Sequence, residues 1–156
     1  MSVKIIDKVR EYLRADVKNF ETFKTDVEAL LTAGANIDEF DNYGTNPLLS
    51  LAFKGSFEDV KFIVSKGANL DVVDNWGYTS LFASLLDKKL DQAKFIIDSG
   101  VNINYVDNKG NSYLDNCLDF NLLDLGKYLF DKNAISNKYS MLEIMIKLGQ
   151  NKTSEQ

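Results

Sequence analysis

Residues 74–81 read DNWGYTSL, and two closely similar stretches lie 33 residues away on either side. DNYGTNPL begins at Asp41, and DNKGNSYL begins at Asp107. A fixed interval of this length is typical of repeat proteins, in which each unit packs on its neighbours. A second series with the same interval consists of GANID, GANLD and GVNIN, which begin at Gly34, Gly67 and Gly100.

Each position of the turn motif has a mechanical role. The leading aspartate is suited to accept backbone hydrogen bonds in an Asx-type turn, and the glycine three residues later supplies the positive φ that the turn needs. The sixth residue is a good helix N-cap in every copy, and Pro47 follows the first cap at the first helical position. The predicted caps are Asn46, Thr79 and Ser112.

Two amphipathic helices are predicted after each turn, because apolar residues recur at intervals of three or four. The first helices carry Leu48, Leu51 and Ala52, then Leu81, Leu85 and Leu86, then Leu114, Cys117 and Leu118. The second helices carry Val60, Ile63 and Val64, then Ala93, Ile96 and Ile97, then Leu125, Leu129 and Phe130. Each second helix is predicted to end at a residue that tolerates the left-handed conformation, namely Gly67, Gly100 and Asn133.

This unit of turn, helix, turn, helix and G-A-N resembles the ankyrin repeat. The resemblance implies an all-α ankyrin-repeat solenoid of stacked helix-turn-helix units with β-hairpin-like turns and capping helices at both ends. We expect a single domain over residues 1–149, followed by a frayed tail over 150–156. Its parts are an N-terminal cap repeat over 1–40, full repeats over 41–73, 74–106 and 107–136, and a C-terminal cap helix over 137–149.

The caps are predicted from apolar stripes outside the full repeats, since the outermost units must cover the stack. The family's T-P-L-H tetrad appears as NPLL, TSLF and SYLD, without its histidine, so we expect a less rigid array near Asp115. The N-terminal stripe is Ile5, Ile6, Val9, Tyr12 and Leu13, and the C-terminal stripe is Met141, Ile144, Met145 and Leu148.

The charge balance favours a cationic partner over an anionic one. Lys+Arg total 18 against 23 Asp+Glu, and the formal net charge of -5 disfavours nucleic acid and anionic membranes. No stretch approaches the roughly 20 apolar residues of a membrane-spanning helix. We therefore expect a cytoplasmic protein that is monomeric on its own, and two arginines against sixteen lysines favour a microbial, bacterial source.

Catalytic and cofactor chemistry have few candidate residues. The chain has no histidine, and Cys117 lies on an apolar stripe, where a structural thiol is expected. Residues 105–116 place a glycine as a calcium loop does, but Tyr105 and Lys109 occupy ligand positions. We predict no enzyme activity, no cofactor and no metal. The rival hypothesis is an unusual carboxylate site on Asp87 or Asp119.

An aromatic cluster is the candidate partner-binding site. The resemblance implies that the turns project from the stack and that the first helices line an adjacent concave face, which the family uses for binding. Equivalent turn positions place Tyr43, Trp76 and Lys109 in one row. The alternative is that Trp76 packs on Tyr43 or Tyr78 and only stiffens the turns. The predicted partner-binding residues are Tyr43, Phe53, Trp76, Tyr78, Asp87, Lys109, Asn111 and Phe120.

The function that follows is non-catalytic recognition of another protein through hairpin tips and a concave helix face. The acidic charge favours a partner with a basic surface. A narrower hypothesis is a microbial inhibitor or immunity protein that neutralises a toxin. The alternative is a regulator or effector that binds a host or cellular protein without inhibiting a toxin.

Overall fold

The computed structural model describes residues 2–149, and within this range the backbone forms nine α-helices. Extended pairing in the same range is limited to an isolated bridge between Val106 and Ser112. The all-α repeat fold predicted from the sequence is therefore confirmed. The helices are α1 (Ile5–Arg14), α2 (Phe20–Thr32), α3 (Pro47–Lys54), α4 (Phe57–Ser65), α5 (Ser80–Leu86), α6 (Leu90–Asp98), α7 (Tyr113–Asp119), α8 (Leu123–Asp131) and α9 (Met141–Gly149).

The chain divides into two compact units, Met1–Ala83 and Ser84–Gln156. In the first unit α1 packs on α2 and α3, and α3 packs on α4. In the second unit α8 packs on both α7 and α9. A single domain over 1–149 stays a prediction, and the tail over 150–156 lies outside the described residues.

The three turn motifs share one geometry. In each, Oδ1 of the leading aspartate accepts hydrogen bonds from the backbone N–H groups two and four residues later. The aspartate N–H donates to the carbonyl oxygen four residues later, which closes the turn like a hairpin. The glycines have the predicted positive φ, with values of 74° at Gly44, 85° at Gly77 and 83° at Gly110.

The predicted helix caps and stops are also confirmed. Asn46 Oδ1, Thr79 Oγ1 and Ser112 Oγ each accept a hydrogen bond from the backbone N–H three residues later. Each second helix stops before a residue of positive φ, as the sequence predicts. Those residues are Gly67 at 90°, Gly100 at 98° and Asn133 at 63°.

Side chains tie neighbouring repeats to one another. In the first unit, Oδ1 of Asp38 accepts a hydrogen bond from the Asn69 N–H at 2.8 Å. In the second unit, Oδ1 of Asn104 accepts one from the Ile135 N–H at 3.0 Å. These two acceptors belong to the hairpin series that begins with the G-A-N motif, and each donor lies in the hairpin of the following repeat.

Asp115 is fully buried and holds the last hairpin on α7. Its carboxylate accepts hydrogen bonds from the Ser112 N–H at 2.8 Å, from the Asn137 N–H at 3.0 Å and from the Ser136 hydroxyl. The sequence predicts a weak point at Asp115 from the missing family tetrad. The structure instead gives this residue a tying role of its own.

Burial confirms most of the predicted apolar stripes, including Ile5, Ile6 and Val9 in the N-terminal cap helix. Two predictions are wrong. Leu86 is 43% exposed because it is the last residue of the short helix α5. In the C-terminal cap, Met141 and Met145 are exposed and only Ile144 is buried, because α9 packs on α8 along a narrow face.

Candidate functional site

Within the first unit, helix α1, the end of α3 and the first two turn motifs surround a pocket of about 760 Å³. A volume of this size lies in the range of ligand-binding pockets. Both of the chain's arginines and its single tryptophan contribute to the wall. The lining residues are Arg10, Leu13, Arg14, Tyr43, Thr45, Ser50, Phe53, Lys54, Asp74, Trp76 and Tyr78.

The aromatic side of the pocket contains four of the predicted binding residues: Tyr43, Phe53, Trp76 and Tyr78. The rings of Phe53 and Tyr78 meet edge to face at 6.1 Å, and Tyr78 stacks on Phe82 at 5.1 Å. Tyr78 is thereby anchored in the first unit. The aromatic side of the pocket therefore combines the anchored ring of Tyr78 with the exposed rings of Tyr43 and Trp76.

Tyr43 and Trp76 remain accessible, with 69% and 62% of their surface exposed. Their positions follow from the turn motif, because each stands two residues after the leading aspartate and donates its backbone N–H to that carboxylate. Among residues 2–149, more than half of the Trp76 surface is therefore left uncovered. The alternative that Trp76 packs on Tyr43 or Tyr78 and only stiffens the turns stays a prediction.

The cationic side of the pocket comes from α1 and α3. Arg10 and Arg14 stand four residues apart, which places them on the same face of α1. The Arg10 guanidinium pairs with the nearly buried Asp41 carboxylate and lies 4.9 Å from the centre of the Tyr43 ring. Arg14 and Lys54, the last residues of α1 and α3, are exposed and have no ion pair within residues 2–149.

Among residues 2–149, Asp74 is the one carboxylate that lines the pocket. Its Oδ1 accepts hydrogen bonds from the backbone N–H groups of Trp76 at 2.9 Å and Tyr78 at 2.8 Å. This carboxylate is therefore engaged in shaping the second turn. The cationic groups outnumber it three to one along the wall.

The other four predicted binding residues lie in the second unit and do not line this pocket. Asp87 follows α5, with its carboxylate 3.7 Å from the Lys89 ammonium, and Lys109 is exposed on the third turn. Asn111 is half-buried in that turn, and Phe120 is half-buried at the C-cap of α7. Their part in binding stays a prediction.

Arg10 and Arg14 are not among the predicted site residues; on the sequence alone they served only as a compositional sign of a microbial source. A signal was present, because these are the chain's only arginines and their spacing of four residues puts them on one helix face. What the sequence did not show was that this face meets the turns that carry Tyr43 and Trp76.

Two of the residues considered for catalysis, Asp119 and Cys117, have environments that oppose particular catalytic roles. Burial alone would raise the pKa of the Asp119 carboxyl, but hydrogen bonds from Lys138 and Tyr139 outweigh burial and lower this pKa, which opposes a general-acid role. Burial raises the pKa of the Cys117 thiol to about 12, which opposes a nucleophilic role. Among residues 2–149, no group of three His, Cys, Asp or Glu side chains is placed to hold a metal ion.

The described chain is a helical repeat protein in which turn tips and helix ends form a pocket with accessible aromatic rings. The family model for ankyrin repeats, in three copies, matches residues 49–140, which is more than half of the chain. The chain belongs to the ankyrin-repeat family, whose members are generally protein–protein interaction modules. No curated protein matches the sequence. Every helix within residues 2–149 is too short or too polar to cross a membrane.

Proposed function

We propose that this protein is a non-catalytic module that binds another protein through the surface around Tyr43, Phe53, Trp76 and Tyr78. The observation that carries the proposal is the exposure of Tyr43 and Trp76 beside a pocket. Large apolar side chains grouped at the surface tend to mark interaction sites, and Trp and Tyr are enriched among residues that dominate binding energy.

The proposed mode of recognition uses the turn tips and the concave face of the first helices. Tyr43, Trp76 and Tyr78 belong to turns, whereas Phe53 belongs to the first helix of its repeat. In the second unit, residues at equivalent positions of the later repeats are proposed as further partner contacts. Those residues are Asp87, Lys109, Asn111 and Phe120.

A narrower form of the proposal is that binding neutralises a toxin, as in a microbial inhibitor or immunity protein. The alternative is a regulator or effector of a host or cellular protein. Cytoplasmic residence and a monomeric free state belong to the same proposal, as does a partner with a basic surface. The net charge of -5 supports long-range attraction to such a partner.

The experiment is an affinity pull-down from cells that naturally carry the protein, with wild type compared with Trp76→Ala and Phe40→Ala. Phe40 is the matched control because it is an exposed aromatic residue of the first unit that does not line the pocket. Trp76→Ala is expected to weaken affinity for the recovered partner about tenfold or more, which corresponds to at least about 1.4 kcal/mol. Phe40→Ala is expected to leave affinity nearly unchanged.

Mass spectrometry of the captured protein then separates the two forms of the proposal. A toxic enzyme as the Trp76-dependent partner supports the immunity form, and a host or cellular regulator supports the alternative. Equal capture by wild type and Trp76→Ala, with both folded, contradicts the assignment of the binding surface.

A further inference from the structure

Cationic side chains line the aromatic pocket, although the net charge of the whole chain is negative. Within the described part of the chain, Arg10, Arg14 and Lys54 line it beside a single carboxylate, that of Asp74, although the net charge of the chain is -5. Arg10 is already paired with Asp41. Arg14 and Lys54 are therefore the cations that a ligand in the pocket would meet.

The position of these two cations has a partial explanation in helix electrostatics. Arg14 is the last residue of α1 and Lys54 is the last residue of α3, and the carbonyl ends of helices favour cations. This effect accounts for one cation at each helix end. Helix electrostatics does not explain why both helix ends line the same pocket, in which Trp76 and Tyr78 also form part of the wall.

We propose that this pocket binds an acidic segment of the partner protein, in which an Asp or Glu stands beside an aromatic or aliphatic residue. The carboxylate pairs with Arg14 and Lys54, and the apolar side chain packs on Trp76 and Tyr78. The inference rests on the proposed function of protein binding. Charge complementarity carries it, because guanidinium and ammonium groups are the protein's cationic partners for carboxylates.

A peptide segment fits the observations better than a nucleic acid strand. Cations interleaved with aromatic rings also occur in sites for single-stranded nucleic acid. Such sites contact a phosphate backbone through many charges. This pocket offers two cations, Arg14 and Lys54, that have no ion pair among residues 2–149, and the net charge of -5 repels polyanions. One acidic side chain can be neutralised by those two cations, and a basic surface elsewhere on the partner remains compatible with the net charge.

The probe is a phage-displayed library of short random peptides, selected on the immobilised full chain. We expect enriched peptides to carry Asp or Glu beside an aromatic or aliphatic residue. The affinity of the protein for synthetic versions of the enriched peptides is expected to fall about fivefold for Arg14→Gln and about fivefold again when Lys54→Gln is added. A fivefold loss corresponds to the upper end of the energies of exposed ion pairs. Copies with Asn or Gln in place of the acids should bind more weakly and should not respond to these variants.

Lys18→Gln is the matched control, because Lys18 is an exposed cation of the first unit outside the pocket. It should leave peptide affinity unchanged. Circular dichroism should show that all three variants keep the helical content of wild type, since these side chains are exposed.

Several outcomes would overturn the inference. They are the absence of any enriched peptide, enrichment without an acidic excess, binding that survives Arg14→Gln with Lys54→Gln, and binding of oligothymidylate as tight as that of the peptides. The proposed function is decided separately by the pull-down with Trp76→Ala. If enriched peptides are uncharged or basic but still require Trp76, the inference fails and the proposed function stands.

Discussion

The guanidinium of Arg10 lies over the ring of Tyr43, 4.9 Å from its centre, and this contact joins helix α1 to the first turn motif. The same guanidinium pairs with Asp41. The Asp41 carboxylate also accepts a hydrogen bond from the backbone N–H of Tyr43. One carboxylate therefore both shapes the first turn and holds helix α1 against that turn. The pocket wall is therefore built from a contact between residues about 30 positions apart in the chain.

Arg10→Gln is expected to destabilise the protein by about 2 kcal/mol, because it leaves the nearly buried Asp41 carboxylate without its charged partner. The measurement is the free energy of unfolding from urea titration. Arg14→Gln is the control, since Arg14 is exposed on the same helix face without an ion pair in the described chain, and its effect should stay within about 0.5 kcal/mol. Equal effects of the two substitutions would contradict the role given to Arg10.

Gly44→Ala is expected to destabilise more than Gly110→Ala, although both glycines occupy the same turn position. Both have φ in the left-handed region, at 74° and 83°, so each alanine costs about 1–2 kcal/mol in strain. A Cβ at Gly44 would also overlap the side-chain amide of Asn75, whereas a Cβ at Gly110 would meet no heavy atom within 4 Å.

The added cost at Gly44 is tested with a double variant in chemical denaturation. The overlapping atoms belong to the Asn75 side chain, so Asn75→Ala removes the overlap. In the Asn75→Ala background, Gly44→Ala should therefore cost no more stability than Gly110→Ala costs in the wild-type background. If the gap between the two glycine substitutions persists in the Asn75→Ala background, the overlap is not its cause.

Asp115→Asn is expected to destabilise by about 1–3 kcal/mol, because the buried amide would turn a donor toward backbone N–H groups that need an acceptor. Burial acts to raise the pKa of Asp115, but hydrogen bonds from Ser136, Ser112 and Asn137 outweigh it and lower this pKa. The stability that the lowered pKa provides is present above the ordinary value of 3.8 and is lost as the pH falls through the folded-state pKa.

The corresponding measurement is the stability of wild type and Asp115→Asn as a function of acid pH. The difference between them should shrink below about pH 4. Asp119→Asn is the comparison at an exposed carboxylate, where the loss should be within about 1 kcal/mol. A difference between wild type and Asp115→Asn that stays constant through this range would refute the assignment.

Tyr12→Phe is expected to flatten the alkaline pH dependence of stability. Desolvation and the hydrogen bond to Asp59, at 2.9 Å, raise the pKa of Tyr12 from 10.0 to about 12. A raised pKa contributes stability that is fully present below pH 10 and is lost as the pH rises through about 12. The phenylalanine ring retains the stacking on Phe23, so the variant isolates the hydroxyl.

This prediction is checked by urea unfolding of both proteins at intervals from pH 9 to 12, a window set by the ordinary and raised pKa values of Tyr12. Lysines titrate in the same range in both proteins, so the informative quantity is the difference between their stabilities. That difference should narrow as the pH rises. A parallel decline of the two curves would count against the Tyr12–Asp59 bond.

The parts of the fold that the sequence predicted well are local. Asp74, Gly77 and Thr79 act on backbone groups within a few residues of themselves. Their roles can therefore be predicted from the eight-residue motif alone. The aromatic wall followed because the 33-residue interval put Tyr43 and Trp76 at equivalent turn positions. These predictions needed no knowledge of how distant segments pack.

The cationic side of the pocket and the hydrogen bonds of Asp115 to the last hairpin could not be predicted from local sequence. Arg14 lines the pocket because α1 packs on α3, and the spacing of residues along the chain does not determine the distance between those helices. Asp115 departs from the family tetrad, and its new partners in the last hairpin lie about 20 residues downstream. Such contacts depend on tertiary packing, which composition and periodicity do not specify.

The ties from Asp38 to Asn69 and from Asn104 to Ile135 each span 31 residues and each use one side-chain oxygen. Their consequence concerns cooperativity. Since neighbouring repeats stabilise one another in such arrays, we expect each of these bonds to couple the opening of one repeat to that of the next. Because each tie needs only one oxygen acceptor, a carboxylate makes it at Asp38 and a side-chain amide makes it at Asn104.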